Sequence, residues 1–120
     1  MKRLYFKPNT DVIKEGDLGD CAYIVEAGSL EVSKINNQNN KQVLGQLKEN
    51  DIFGELGLID GLPRSATVTA LENCTIKVLT KDSFHSLAKN RPEALMPIFK
   101  VLASRLRSTL KQVIGVPNHG

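Results

Sequence analysis

Hydrophobic and polar positions alternate in short bursts over the first eighty residues and then recur at intervals of three and four. Residues 3–7 and 11–15 read as short strands on either side of Pro8-Asn9-Thr10, a turn whose proline presets φ. Turn formers crowd Gly16-Asp17-Leu18-Gly19-Asp20, after which residues 21–26 have the apolar character of an interior strand. Ala27-Gly28-Ser29 leads into a strand over 30–35, and Asn36-Asn37-Gln38-Asn39-Asn40 makes a polar hairpin tip. The returning strand, 42–48, is predicted to carry Val43 and Leu47 on one face, and Glu49-Asn50-Asp51 turns the chain again. Beyond it, residues 64–70 alternate apolar and hydroxyl side chains with a period of two, and Cys74, Ile76 and Val78 mark the inward face of a last strand. Many short strands separated by turns predict an antiparallel roll or sandwich rather than a parallel sheet.

The period changes at Thr80. Thr80 or Asp82 can cap a helix to about residue 89 whose apolar side holds Phe84, Leu87 and Ala88, with His85 as a surface residue. Asn90-Arg91-Pro92 interrupts it, and Pro92 suits the first turn of the next helix. Leu95, Phe99, Leu102, Leu106, Leu110 and Val113 then form an apolar stripe. Pro97 lies within it and predicts a kink or a fresh helix start; Gly115 and Pro117 predict the end. The fold class is mainly β with C-terminal helices.

Composition narrows the functional classes. The 120 residues suit one domain, and 41% hydrophobic with 24% charged residues is ordinary for a globular protein. No apolar run approaches a membrane span, and Met1-Lys2-Arg3 is not followed by a signal-peptide core, so no membrane insertion is expected and a cytoplasmic location is the default. The net charge of +3 collects near the end, at Lys100, Arg105, Arg107 and Lys111, with no acid after Glu93. The remainder is near neutral, so direct nucleic-acid binding is not expected. Cys21 and Cys74 form no CxxC pair and are expected in strands as small apolar residues. The only histidines, His85 and His119, offer no metal cluster, and no activated nucleophile stands out, so neither a metal, a cofactor nor catalysis is expected.

The chemistry concentrates in residues 52–70. Gly54 allows a turn or a close approach, and Gly57 and Gly61 limit the helix begun at Glu55 to about one turn. N–H groups at the start of such a turn favour an anion, and Arg64 would supply forked donors that match phosphate oxygens. Glu55 repels phosphate, so it fits only if it faces away and accepts a hydrogen bond from a hydroxyl. Phe53-Gly54-Glu55-Leu56-Gly57-Leu58 followed by Pro63-Arg64-Ser65-Ala66-Thr67-Val68 resembles the phosphate-binding cassette of cyclic nucleotide-binding domains. Glu15-Gly16-Asp17, Tyr23-Ile24-Val25 and Gly28-Ser29-Leu30-Glu31-Val32 resemble the first half of that family's β-roll.

The resemblance implies that Glu55 holds a ribose 2′-hydroxyl and Arg64 a cyclic phosphate. Backbone N–H groups around Gly54, Leu56 and Ala66 and the Ser65 hydroxyl would complete the phosphate shell, with Phe53, Gly57 and Val68 beside them. Many members carry alanine where this chain has Gly57, a small-for-small difference. One domain over residues 1–120 follows, with the roll at 1–80, helices and a hinge at 81–115 and a tail at 116–120. Phosphate capture would draw the cassette inward, Leu56 and Leu58 would couple it to Phe84 and Leu87, and 90–97 would be the hinge. Leu106, Arg107 or Leu110 would cap the base, although those leucines could equally pack on the roll or form a homodimer. Ser-Ala after the arginine resembles members that prefer cAMP, and cGMP stays possible. The implied function is an allosteric sensor acting on an attached domain or partner. The alternatives are the sensor part of a DNA-binding regulator and a degenerate cassette serving as an interaction domain. Many relatives place a helix before the roll where this chain already reads as strand, so either the chain is excised from a longer protein or that helix is missing.

Overall fold

The computed structural model describes the backbone of residues 1–114 and the side chains of residues 1–104, 106–108 and 110. Its strands are β1 (Lys2–Phe6), β2 (Asp11–Ile13), β3 (Ala22–Ala27), β4 (Leu30–Ile35), β5 (Lys41–Leu47), β6 (Ile52–Phe53), β7 (Thr67–Ala70) and β8 (Cys74–Leu79). Helix α1 (Glu55–Asp60) lies between β6 and β7, while α2 (Lys81–Asn90), a 3-10 turn (Pro92–Leu95) and α3 (Met96–Ile114) follow. The chain divides into two compact units between Ser83 and Phe84.

Two four-stranded antiparallel sheets build the first unit, in the orders β1-β8-β3-β6 and β2-β7-β4-β5. The alternation read from the sequence supplies their core: Val25 and Ile76 from one sheet meet Leu30, Val68 and Ala70 from the other, with Phe53 and Cys74 completing the cluster. Full burial of a side chain such as Ile76 contributes about 1.5–3 kcal/mol. Turn residues lie where the pattern predicts them: Asn9, Asn39 and Asn50 adopt positive φ, and Asn36 Oδ1 accepts the N–H groups of Gln38 and Asn40 at the hairpin tip.

Several expectations are corrected. Val32 pairs with Gly45 and Ser33 with Val43, so Leu44 bulges out of register. The bulge breaks the period of two, leaving Val43 exposed while Leu47 packs against the core. Cys21 lies just before β3 rather than within it, and the strand expected from residue 64 begins at Thr67.

Among the helices, Thr80 Oγ1 accepts the Ser83 N–H at 3.1 Å and caps α2, a contact worth about 1 kcal/mol. Phe84 and Leu87 are partly buried, but Ala88 is exposed. The fresh start predicted at Pro97 is present: the 3-10 turn ends at Leu95 and α3 begins at Met96, which places the proline in a first turn, where its missing N–H costs little. Leu95 and Ile98 are buried, while Met96, Phe99, Leu106 and Leu110 are exposed. The predicted helix end at Gly115, Pro117, His119 and the tail lie outside the described residues.

Candidate functional site

Glycine brackets the cassette helix at both ends. Gly54 precedes α1 with φ of 74°, and Gly61 follows with φ of 66°, its N–H donating to Gly57 O at 3.1 Å. Both conformations are left-handed, which any side chain would disfavour. Glu55, the first residue of α1, is wholly buried, at 0% exposure.

Arg64 is buried as well, at 7% exposure. Its main chain is fixed by the loop between β2 and β3: Arg64 N donates to Asp17 O and Gly16 N donates to Arg64 O, both at 2.8 Å. Its guanidinium turns back toward the cassette, Nη1 donating to Gly54 O and Nη2 to Cys21 O, each at 2.9 Å. Three glycines make room for it. A Cβ at Gly19 would come within 2.4 Å of Nη2, and one at Gly57 or Gly54 within 2.7 or 2.9 Å of Nη1. A Cβ at Gly57 would also stand 2.8 Å from Gly19 O, a backbone atom that cannot step aside cheaply, so alanine at that position is no neutral exchange in this chain.

Aromatic residues floor the same spot. Tyr23 lies opposite Phe53 in the β3–β6 register, their rings stack at 5.2 Å, and Arg64 Cζ lies 5.7 Å from the Tyr23 ring centre. Burial pushes the Tyr23 phenol up to about 12, and the Cys21 sulfur, 3.3 Å from the hydroxyl, adds to the shift because a thiolate there would repel a phenolate. Arg64 and Tyr23 also line an open cavity of about 390 Å³ whose other walls include Ile13, Leu18 and Cys21.

The arrangement thus joins Gly54, Gly57 and Arg64. Phe53 and Val68 are buried in the core cluster, Leu56 and Ser65 are exposed, and Ala66 is partly buried. Leu106, Arg107 and Leu110 belong to α3 in the second unit, all exposed. Sequence reasoning missed Gly19, Cys21 and Tyr23. The glycine-rich run 16–20 was a usable signal for the first; the Cys21 contribution is a main-chain carbonyl, which no residue type announces. Among the described residues no group of three or more His, Cys, Asp or Glu side chains could hold a metal ion, and no helix is long and apolar enough to cross a membrane.

A family model described as the cyclic nucleotide-binding domain matches residues 3–91, from β1 to just past α2. The chain belongs to this family. Within it, a cAMP-dependent protein kinase regulatory subunit of Yarrowia lipolytica is 44% identical over 81 residues, covering 68% of this chain and 21% of the relative. A CRP-like cAMP-activated global transcriptional regulator of Mycobacterium tuberculosis is 31% identical over 98 residues, 82% of this chain and 44% of the relative. The chain therefore spans less than half the length of either. The crystal structure of Thermus thermophilus catabolite activator protein superposes with a TM-score of 0.87 at 25% identity, covering 93% of this chain and 53% of that one. The cyclic nucleotide-binding β-roll that the resemblance implies, one of the antiparallel forms the strand pattern allows, is thus the fold of this family member.

Proposed function

We propose that this domain binds a 3′,5′-cyclic nucleotide, cAMP in preference to cGMP, as a non-catalytic sensor regulating an attached domain or partner. One observation carries the reading: a buried guanidinium, presented by a glycine-lined seat, nine residues after a buried carboxylate. Burying either charge costs several kcal/mol unless compensated. A ligand that offers an anion to Arg64 and a hydroxyl to Glu55 suits the chemistry of both groups.

A guanidinium has five N–H donors, more than the two carbonyls of Gly54 and Cys21 take up. Exocyclic phosphate oxygens would accept from Arg64 in a charge-assisted pair, with the Ser65 hydroxyl and the N–H groups of Leu56 and Ala66 beside them. Glu55 would accept from the ribose 2′-hydroxyl, a group that 2′-deoxynucleotides lack. The names of the kinase regulatory subunit and of the transcriptional regulator favour cAMP as ligand. Capture would draw in the cassette, and α3 would close over the base through Leu106, Arg107 or Leu110. A ligand shifts that equilibrium only by its difference in affinity for the two states.

A second output has support of its own, because the match to catabolite activator protein spans almost the whole chain. In that reading the domain senses for a DNA-binding regulator, with α3 as the dimer interface. Calorimetric titration with cAMP, cGMP and 5′-AMP tests the common core of both. Saturable 1:1 binding of cAMP, weaker binding of cGMP and none of 5′-AMP is expected. Absence of binding by either cyclic nucleotide would leave the cassette as an interaction surface only.

A further inference from the structure

We propose that Tyr23 is a positioning residue for the phosphate, its ring holding the Arg64 guanidinium in the orientation from which it meets the ligand. This rests on the reading of Arg64 as the phosphate's partner. The two carbonyl bonds, to Gly54 O and Cys21 O, direct terminal nitrogens but leave the group free to tilt about the line joining them. The Tyr23 ring opposes that tilt. Its centre lies 5.7 Å from Arg64 Cζ, within the range where a cation is attracted to an aromatic face.

The ring is itself immobilised. Tyr23 sits on β3 between β8 and β6, opposite Phe53 in register, and the two rings stack at 5.2 Å with 22° between their planes. Gly54 closes over it: a Cβ there would lie 3.2 Å from Tyr23 Cδ2. Cys21 links both ends of the contact, its carbonyl accepting from Arg64 Nη2 while its thiol donates to the Tyr23 hydroxyl at 3.3 Å. With the phenol pushed up to about 12, the ring stays neutral over the physiological range, so no phenolate competes with phosphate for the guanidinium. A cation oriented in advance spares the ligand the cost of ordering it.

Tyr23→Leu, which removes the ring, is expected to weaken cAMP binding about tenfold, the size of a partly desolvated cation–π contact. Tyr23→Phe keeps the ring while losing the hydroxyl's weak contacts with the Cys21 thiol and the Arg64 guanidinium, and is expected to stay within about twofold. In an Arg64→Gln background the Tyr23→Leu loss is expected to vanish, as it would not if the leucine merely loosened the roll. Equal losses in both backgrounds, or a Tyr23→Phe variant as weak as Tyr23→Leu, would overturn the proposal. A second measurement needs neither nucleotide nor the leucine variant. In the proton–nitrogen NMR spectrum of the ligand-free chain, the Arg64 Nε–H signal, assigned by its loss in Arg64→Gln, is expected upfield through the ring current and to remain there in Tyr23→Phe. A signal at the position of solvent-exposed arginines would refute the contact, whether or not the domain binds cAMP.

Discussion

The two units of the chain treat charge differently. The roll keeps charge inside, with Glu55 at 0% and Arg64 at 7% exposure, whereas among the described residues the helical unit buries only apolar side chains, Leu95 and Ile98, and leaves Leu106 at 61% and Leu110 at 48% exposure. Buried charge is expensive and must be compensated at once by its surroundings, here glycine-lined space, two carbonyls and an aromatic face around Arg64. Exposed leucines at intervals of four cost little until something covers them. The contrast teaches that affinity should reside in the roll, where the seat is already built, and that the helices should contribute only the smaller gain of closure.

Arg64→Ala is the most severe way to break this contrast. It is expected to weaken cAMP binding by ~2–5 kcal/mol, because a buried phosphate loses its charged partner. Wild-type affinity in calorimetry would remove Arg64 from the site. Glu55→Ala comes next, with an expected loss of ~1–3 kcal/mol for cAMP but little for 2′-deoxy-cAMP, which has no hydroxyl to read. Equal losses for the two ligands would show that the carboxylate does not contact the 2′-hydroxyl.

Two glycines sharpen the comparison inside the roll. The atoms nearest an added methyl at Gly19 belong to the far end of the Arg64 side chain, so Gly19→Ala should displace the guanidinium, costing ~1–2 kcal/mol in cAMP affinity while thermal unfolding moves little. At Gly28, where φ is 98°, the methyl would meet Asn73 O at 2.7 Å and Cys74 Sγ at 2.6 Å. Gly28→Ala should instead lower stability by ~1–3 kcal/mol and spare the affinity of the folded fraction. Reversal of the two phenotypes, read by melting curves beside titrations, would mean that the glycines near Arg64 serve packing alone. The smallest effects are expected from Leu106→Ala and Leu110→Ala, each within ~0.5–1 kcal/mol in cAMP binding. A loss as large as that of Arg64→Ala would place the dominant contacts in α3 and invert the comparison.

What the sequence reveals follows the same division. The Glu55 and Arg64 pair is legible because its side-chain types stand at a fixed spacing in one continuous stretch, and the strands are legible because Val68, Ala70, Cys74, Ile76 and Val78 alternate toward one core. The seat around Arg64 is not, since it joins residues 16–23 to residues 54–64 through main-chain atoms and missing side chains. The bulge at Leu44 escapes for a related reason: register shifts depend on the partner strand, and Val43 alone looks like any inward residue. On α3 the period of three and four shows a stripe but not what covers it.

The central claim is that Arg64 and Glu55 grip opposite sides of one sugar-phosphate ring. The crystal structure of this chain with cAMP tests it most directly. The expected result has the Arg64 guanidinium on the exocyclic phosphate oxygens and the Glu55 carboxylate accepting from the ribose 2′-hydroxyl, both at hydrogen-bond distance. A nucleotide bound elsewhere, or bound here with either side chain turned away from it, would contradict the account.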